Sequence, residues 1–159
     1  MGLVRKRLII EDSVLAHFSE YRQNGENSTE AGGQLFGKIA DGNVVVSHAT
    51  GPNKRDGRSF ALFVPKRSHE QGDINRLFKK GFHYIGDWHT HPQRSPRPSS
   101  LDLKSISDTF IKSRHDLDSL VLVIVGTDGL WVSLHTADKY KRLKLVLSEG
   151  NEGGVNGEE

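Results

Sequence analysis

Two histidines one residue apart, with an aspartate downstream, mark where this chain could do chemistry. They stand in Trp88-His89-Thr90-His91-Pro92, followed by Ser99-Ser100-Leu101-Asp102. Tyr84, Ile85 and Trp88 lead in and predict a strand. On a strand, positions i and i+2 point to the same face, so the two imidazoles could hold one metal ion. Asp102 adds a carboxylate. Two nitrogens and one oxygen give three protein ligands and leave a fourth position for water. That is the make-up of a catalytic zinc site, not of a closed structural one. The chain contains no cysteine, so a thiolate zinc site is excluded.

Such a site needs a group to handle protons. The best candidate lies upstream, in Glu30-Ala31-Gly32-Gly33-Gln34-Leu35-Phe36-Gly37. Paired glycines there let the backbone approach closely and could bring the Glu30 carboxylate beside a metal. With this glutamate included, the chain resembles the JAMM family of metalloproteases. That family's signature is an upstream Glu, His-x-His, seven residues, Ser, two residues and Asp. Here it reads Glu30, His89-x-His91, seven residues from Pro92 to Pro98, Ser99, two residues, Asp102. The resemblance runs from about residue 7 to about residue 148.

Each piece alone has a plainer meaning. His-x-His on a strand is more often two ordinary polar residues. Ser99-x-x-Asp102 is also a helix capping box, with Ser99 as cap and Asp102 in the first turn. The two readings are compatible, because a helix N-terminus favours the charged form of Asp102. The resemblance implies that His89, His91 and Asp102 bind one zinc ion per chain. It implies that Glu30 accepts and returns the proton of the attacking water, and that Ser99 hydrogen-bonds the oxyanion. Asp87 or a backbone carbonyl could orient a histidine.

For substrate, the resemblance implies cleavage after the C-terminal tail of ubiquitin or a ubiquitin-like protein. The chain lacks the bulky aromatic segment that the familiar eukaryotic enzymes carry between the histidines and Ser99. In its place is Gln93-Arg94-Ser95-Pro96-Arg97-Pro98, whose arginines could meet carboxylates on a partner. Gly51-Pro52, Arg58-Ser59-Phe60 and the run from Gly86 to Pro92 resemble bacterial stand-alone members of the family. Those are similar to deconjugating peptidases encoded beside E1- and E2-like enzymes in antiphage operons, including ones that modify cyclic-nucleotide synthases. Two other readings compete: a metal-free MPN-type scaffold, and a JAMM hydrolase of small peptides or sulfur-carrier cysteine conjugates.

Composition bounds these readings. At 159 residues the chain suits one domain with a real core. A formal net charge of +2 gives no argument for nucleic acid. No apolar run approaches the roughly 20 residues that span a bilayer, and Leu8-Ile9-Ile10 is too short for a signal-peptide core. A cytoplasmic protein is therefore expected, with no membrane partner.

The elements that must position the site follow from periodicity. Strands are predicted at Arg7–Ile10, 34–39, 43–50, 59–64, His83–Thr90, Leu120–Val125 and Leu130–His135. Helices are predicted from Asp12, as N-cap, to about Gln23, over about 68–80, and over about Ser100–Lys112. Asn24 to Ser28 predicts a polar turn, and Asp41-Gly42 a hairpin. The wholly apolar Leu120–Val125 predicts a central strand covered on both faces. Residues 141–147 suit an edge strand or a short helix. Residues 92–98 hold three prolines and cannot form regular structure. Residues 149–159, with four glycines and four glutamates, predict a disordered tail. The expected fold is a single α/β domain over 1–148, a mixed sheet flanked by helices. The resemblance makes this the JAMM/MPN, cytidine-deaminase-like architecture. The other six histidines (17, 48, 69, 83, 115 and 135) are expected to be surface or packing residues. His83 shares simple strand parity with His89 but lies roughly 20 Å away along the strand.

Overall fold

A mixed sheet curls until its first and last strands meet, so that one apolar face turns inward and the other lies under a helix. The computed structural model describes residues 7–23, 30–40, 42–52, 57–58, 63–64, 67–113, 117–147 and 153–157. In chain order these form β1 (Arg7–Ile10), α1 (Asp12–Glu20), β2 (Gly32–Ala40), β3 (Asn43–Ala49), β4 (Gly57–Arg58), β5 (Phe63–Val64), α2 (Arg67–Lys79), β6 (His83–Thr90), α3 (Ser100–Lys112), β7 (Leu120–Val125), β8 (Leu130–His135), β9 (Tyr140–Leu147) and β10 (Gly153–Gly157). The spatial order is β1-β10-β9-β8-β7-β6-β2-β3, closed by pairing of β1 with β3. The β1–β3 and β6–β7 pairs are parallel. Helix α3 is the crossover that a parallel β6–β7 pair requires. β4 and β5 form a small separate ladder.

All six residues of β7 are buried. Alternation divides them between two cores. Val121, Val123 and Val125 join Val14 and Phe18 of α1, Leu35 of β2 and Trp88 of β6 inside the curl. Leu120, Leu122 and Ile124 pack with Trp131 beneath Ile106 of α3. This double cover explains why β7 is apolar throughout, and it bears out the sequence expectation. Among the described residues, no helix is long and apolar enough to cross a membrane.

Several expectations need correction. Helix α1 begins at Asp12, capped by the extended residue Glu11 without a side-chain bond, so Asp12 lies in the first turn and is not the cap. The helix stops at Glu20, and Gln23 instead turns into the core, where it is 3% exposed. Of the strand expected over 59–64, residues 63–64 are strand; 59–62 lie outside the described residues. So do the polar turn 24–28 and Asp41 of the hairpin. β9 is not at an edge, because β10 pairs along its free side. β10 itself falls within the segment expected to be unstructured. A strand can be held by main-chain hydrogen bonds to two neighbours, here β1 and β9, even where its sequence has a single apolar residue, Val155. Composition, which reports side chains, does not register that.

Strand parity along β6 is also broken. The register with β2 shifts between Leu35↔Gly86 and Phe36↔Tyr84, leaving an extra residue at Ile85. Tyr84 thereby comes to the same side as Asp87, and its hydroxyl donates to Asp87 Oδ1 at 2.9 Å. The simple alternation that linked His83 to His89 fails at this bulge.

Candidate metal centre

The groups of the proposed site reach it from three places in the fold: the end of β6, the start of α3 and the approach to β2. His89 lies on the α3 side of β6, opposite Ile124 of β7. Trp88, one residue earlier, points the other way, packs 5.2 Å from the Phe18 ring and donates from its indole nitrogen to the Thr50 carbonyl at 2.9 Å. His91 follows the end of β6, and its amide donates to the Val125 carbonyl at 2.9 Å. Both imidazoles are therefore held against the rigid central pair of strands.

Asp102 enters from the first turn of α3. The capping box expected from Ser99-x-x-Asp102 is present in full. Ser99 Oγ accepts from the Asp102 amide at 3.1 Å, and the Ser99 amide donates to Asp102 Oδ2 at 2.7 Å. The cap thus aims the carboxylate as well as starting the helix. Asp102 Oδ1 is 2.9 Å from His89 Nε2, and Oδ2 is 3.2 Å from His91 Nε2.

Glu30 precedes β2 and is 5% exposed. Its Oε1 lies 3.5 Å from His91 Nε2. The glycines that follow it make this placement possible. A Cβ on Gly33 would run into the Thr50 carbonyl oxygen, and Gly51 (φ +83) turns the facing chain tightly against the backbone of Gly32. These are the close approaches that the paired glycines predicted.

One atom from each of His89, His91 and Asp102 lies within 4.8 Å of the others, the one such cluster among the described residues. Ligands about 2.0–2.1 Å from a tetrahedral zinc stand roughly 3.3 Å apart, close to the histidine–aspartate separations found here. His89 Nε2 is buried and makes no hydrogen bond of acceptable geometry, although Asp102 is near. A metal ion held there would satisfy that buried nitrogen. The donor set fits a divalent ion.

The electrostatics point the same way. Burial works against ionisation of Asp102, but His89, His91 and the Ser99 amide outweigh it and hold the carboxyl well below the usual range. Burial pushes the Glu30 carboxyl up, with His91 and His89 opposing and Asp102 adding to the rise. Burial would lower the His91 imidazole, but Asp102, Glu30 and Gln93 together raise it. Burial raises Asp87 to about 6 against the Tyr84 hydroxyl and His89. A carboxylate held in its ionised form thus sits beside one whose burial favours the protonated form.

The 92–98 loop has no regular structure, as its prolines require. It is nevertheless tied down. The Gln93 carbonyl accepts from the Thr127 amide at 2.8 Å, Gln93 Oε1 accepts from the Arg97 amide at 3.1 Å, and Pro96 is buried against Gly126. Arg94 pairs with Asp128 at 3.2 Å on the surface. His17 contacts the Gly51 carbonyl at 2.6 Å, His48 packs on Phe82, His83 on Phe78, and His135 against Ser133 and Tyr140. All four serve packing. The side chain of His69, and all of His115, lie outside the described residues. Sequence reasoning missed Thr90 and Gln23, which bond each other beneath the site at 3.1 Å. The buried position of Thr90 between two outward histidines was the available signal.

Comparison with known proteins defines the class. Residues 12–138 match the model of the prokaryotic homologs of the JAB domain. The chain therefore belongs to the JAB, or JAMM, family. A CD-NTase/cGAS isopeptidase of Escherichia coli is 32% identical over 143 residues, covering 88% of this chain and 89% of that protein. A protein of the same name from Vibrio cholerae is 30% identical over 79% of this chain and 80% of its own length. A probable metalloprotease of Sinorhizobium fredii is 38% identical over 93 residues, about half of each chain (53% and 54%). The solution structure of a protein from Desulfitobacterium hafniense shares the fold, with a TM-score of 0.63 at 20% identity over 91% of this chain and 94% of that one.

Proposed function

We propose that this protein is a zinc-dependent isopeptidase that cleaves after the C-terminal residue of a ubiquitin-like modifier, releasing it from a target protein or a precursor. The observation that carries the reading is the approach of Glu30 to His91 beside the His89–His91–Asp102 cluster. An MPN-type scaffold has no need of that fourth group. The names of the relatives support a CD-NTase/cGAS protein as the conjugated target; an antiphage conjugation system with E1- and E2-like partners is the setting we propose for it.

His89, His91 and Asp102 would hold the zinc. When bound, zinc acidifies the attacking water and polarises the scissile carbonyl. Glu30 takes the water's proton and passes it to the leaving amine. The Ser99 hydroxyl donates to the oxyanion that develops on the carbonyl. Its oxygen already accepts from the Asp102 amide, which leaves the hydroxyl proton for the substrate.

The direct test is cleavage of a ubiquitin-like protein fused to a target, compared with a short peptide of the same junction. The fusion is expected to be cut at the modifier's last residue, and chelation to stop the reaction. Cleavage that survives removal of all metal, or efficient cleavage of the peptide alone, overturns the reading. Ser99→Ala separates cap from chemistry. Loss of the cap costs about 1 kcal/mol of stability; loss of an oxyanion donor costs about 10²–10³ in rate. The variant is expected to melt slightly lower and, at a temperature where it is fully folded, to lose turnover by the larger factor. Normal turnover would leave Ser99 as a cap only.

A further inference from the structure

We propose that Thr90 is a positioning residue: its hydroxyl clamps the Glu30 segment against the histidine strand, and Gln23 orients that hydroxyl. The proposal rests on the reading of Glu30 as the base.

Thr90 is the residue between the two histidines, and it is completely buried (0% exposed). Because strand side chains alternate, it points into the curl while His89 faces α3. Its Oγ1 accepts from the Ala31 amide at 2.9 Å, and its own amide donates to the Ala31 carbonyl at 2.8 Å. Ala31 is thus gripped at both its donor and its acceptor by one residue. An amide can only donate, so the hydroxyl must send its proton elsewhere. Gln23 Oε1, 3.1 Å away and itself buried, receives it. The direction of every bond in the chain Ala31–Thr90–Gln23 is therefore determined.

The consequence lies one peptide link away on each side of the clamp. Ala31 is covalently next to Glu30, and Thr90 is covalently next to His91. The clamp therefore sets the spacing between the proposed base and the ligand it faces, observed as 3.5 Å from Glu30 Oε1 to His91 Nε2. The backbone ladder alone would not hold Ala31 in the same way, since β2 begins only at Gly32.

Thr90→Val keeps the branched shape and removes the hydroxyl, leaving the buried Ala31 amide without its acceptor. The variant is expected to bind zinc at wild-type stoichiometry and affinity, to keep its KM, and to lose about tenfold to a hundredfold in kcat, the effect of a misplaced catalytic group. The Ala31 amide is expected to exchange with solvent much faster than in the wild type. Thr90→Ser, which restores the hydroxyl, is expected to recover kcat to within a few-fold. Gln23→Leu should lower kcat in the same direction by less. Thr90→Ala provides the same test if the valine variant does not fold. Wild-type kcat in folded Thr90→Val or Thr90→Ala, with Glu30→Gln inactive, overturns the clamp and leaves Glu30 as the base. Wild-type kcat in Glu30→Gln overturns the base assignment, and the clamp with it. Equal loss in the serine and valine variants also overturns the proposal, because the effect then follows packing and not the hydroxyl.

Discussion

Asp102→Ala is expected to lose its zinc and, with it, all measurable turnover. Asp102 contacts both of the other donors, at 2.9 Å from His89 and 3.2 Å from His91. Two imidazoles without the carboxylate form an incomplete site, and zinc affinity depends on the full set of deprotonated donors. The same substitution removes half of the capping box, so a stability loss of about 1 kcal/mol accompanies it. Asp102→Asn separates the two effects. Its amide oxygen can still accept from the Ser99 amide, as Asp102 Oδ2 does at 2.7 Å. It should therefore preserve the helix start while weakening metal binding, because the charge is gone. Metal content of the purified variants, measured by atomic emission beside thermal melting, reads both quantities. An Asp102→Ala protein that retains one zinc per chain would remove Asp102 from the ligand set.

Glu30→Gln is expected to keep zinc and fold and to lose roughly 10²–10⁴-fold in rate, the usual contribution of a general base. Glutamine has the size of glutamate but cannot take a proton from water. Its effect on stability should run the other way. Burial raises the Glu30 pKa, so the ionised form is disfavoured in the folded chain relative to the unfolded one. A neutral amide removes that cost, and in the metal-free protein at neutral pH the variant is expected to melt no lower than the wild type. Loss of zinc together with activity would instead make Glu30 a ligand. Rates within a few-fold of wild type would place the base elsewhere.

The candidate site was legible in the sequence to an unusual depth, because its donor groups come from local patterns. His89 and His91 share a face through strand alternation alone. Ser99 and Asp102 meet through the first turn of a helix. β7 announced its double burial by an unbroken apolar run. What residue types and short spacings determine, then, is which groups can bind or transfer protons, and which elements carry them. Tertiary structure decided the rest. That Glu30 belongs beside His91 follows from the antiparallel pairing of β2 with β6, which no local signal encodes. The bulge at Ile85 breaks an alternation that the sequence predicts to be continuous. The turn of Gln23 from the end of α1 into the core, and its bond to Thr90, depend on β6 coming close to that helix end, a contact 67 residues apart in sequence. β10 acquires its structure from two neighbouring strands and not from its own composition. In each case the deciding term is a long-range contact between main-chain or buried polar groups, and sequence periodicity reports only the burial of side chains near one another in the chain.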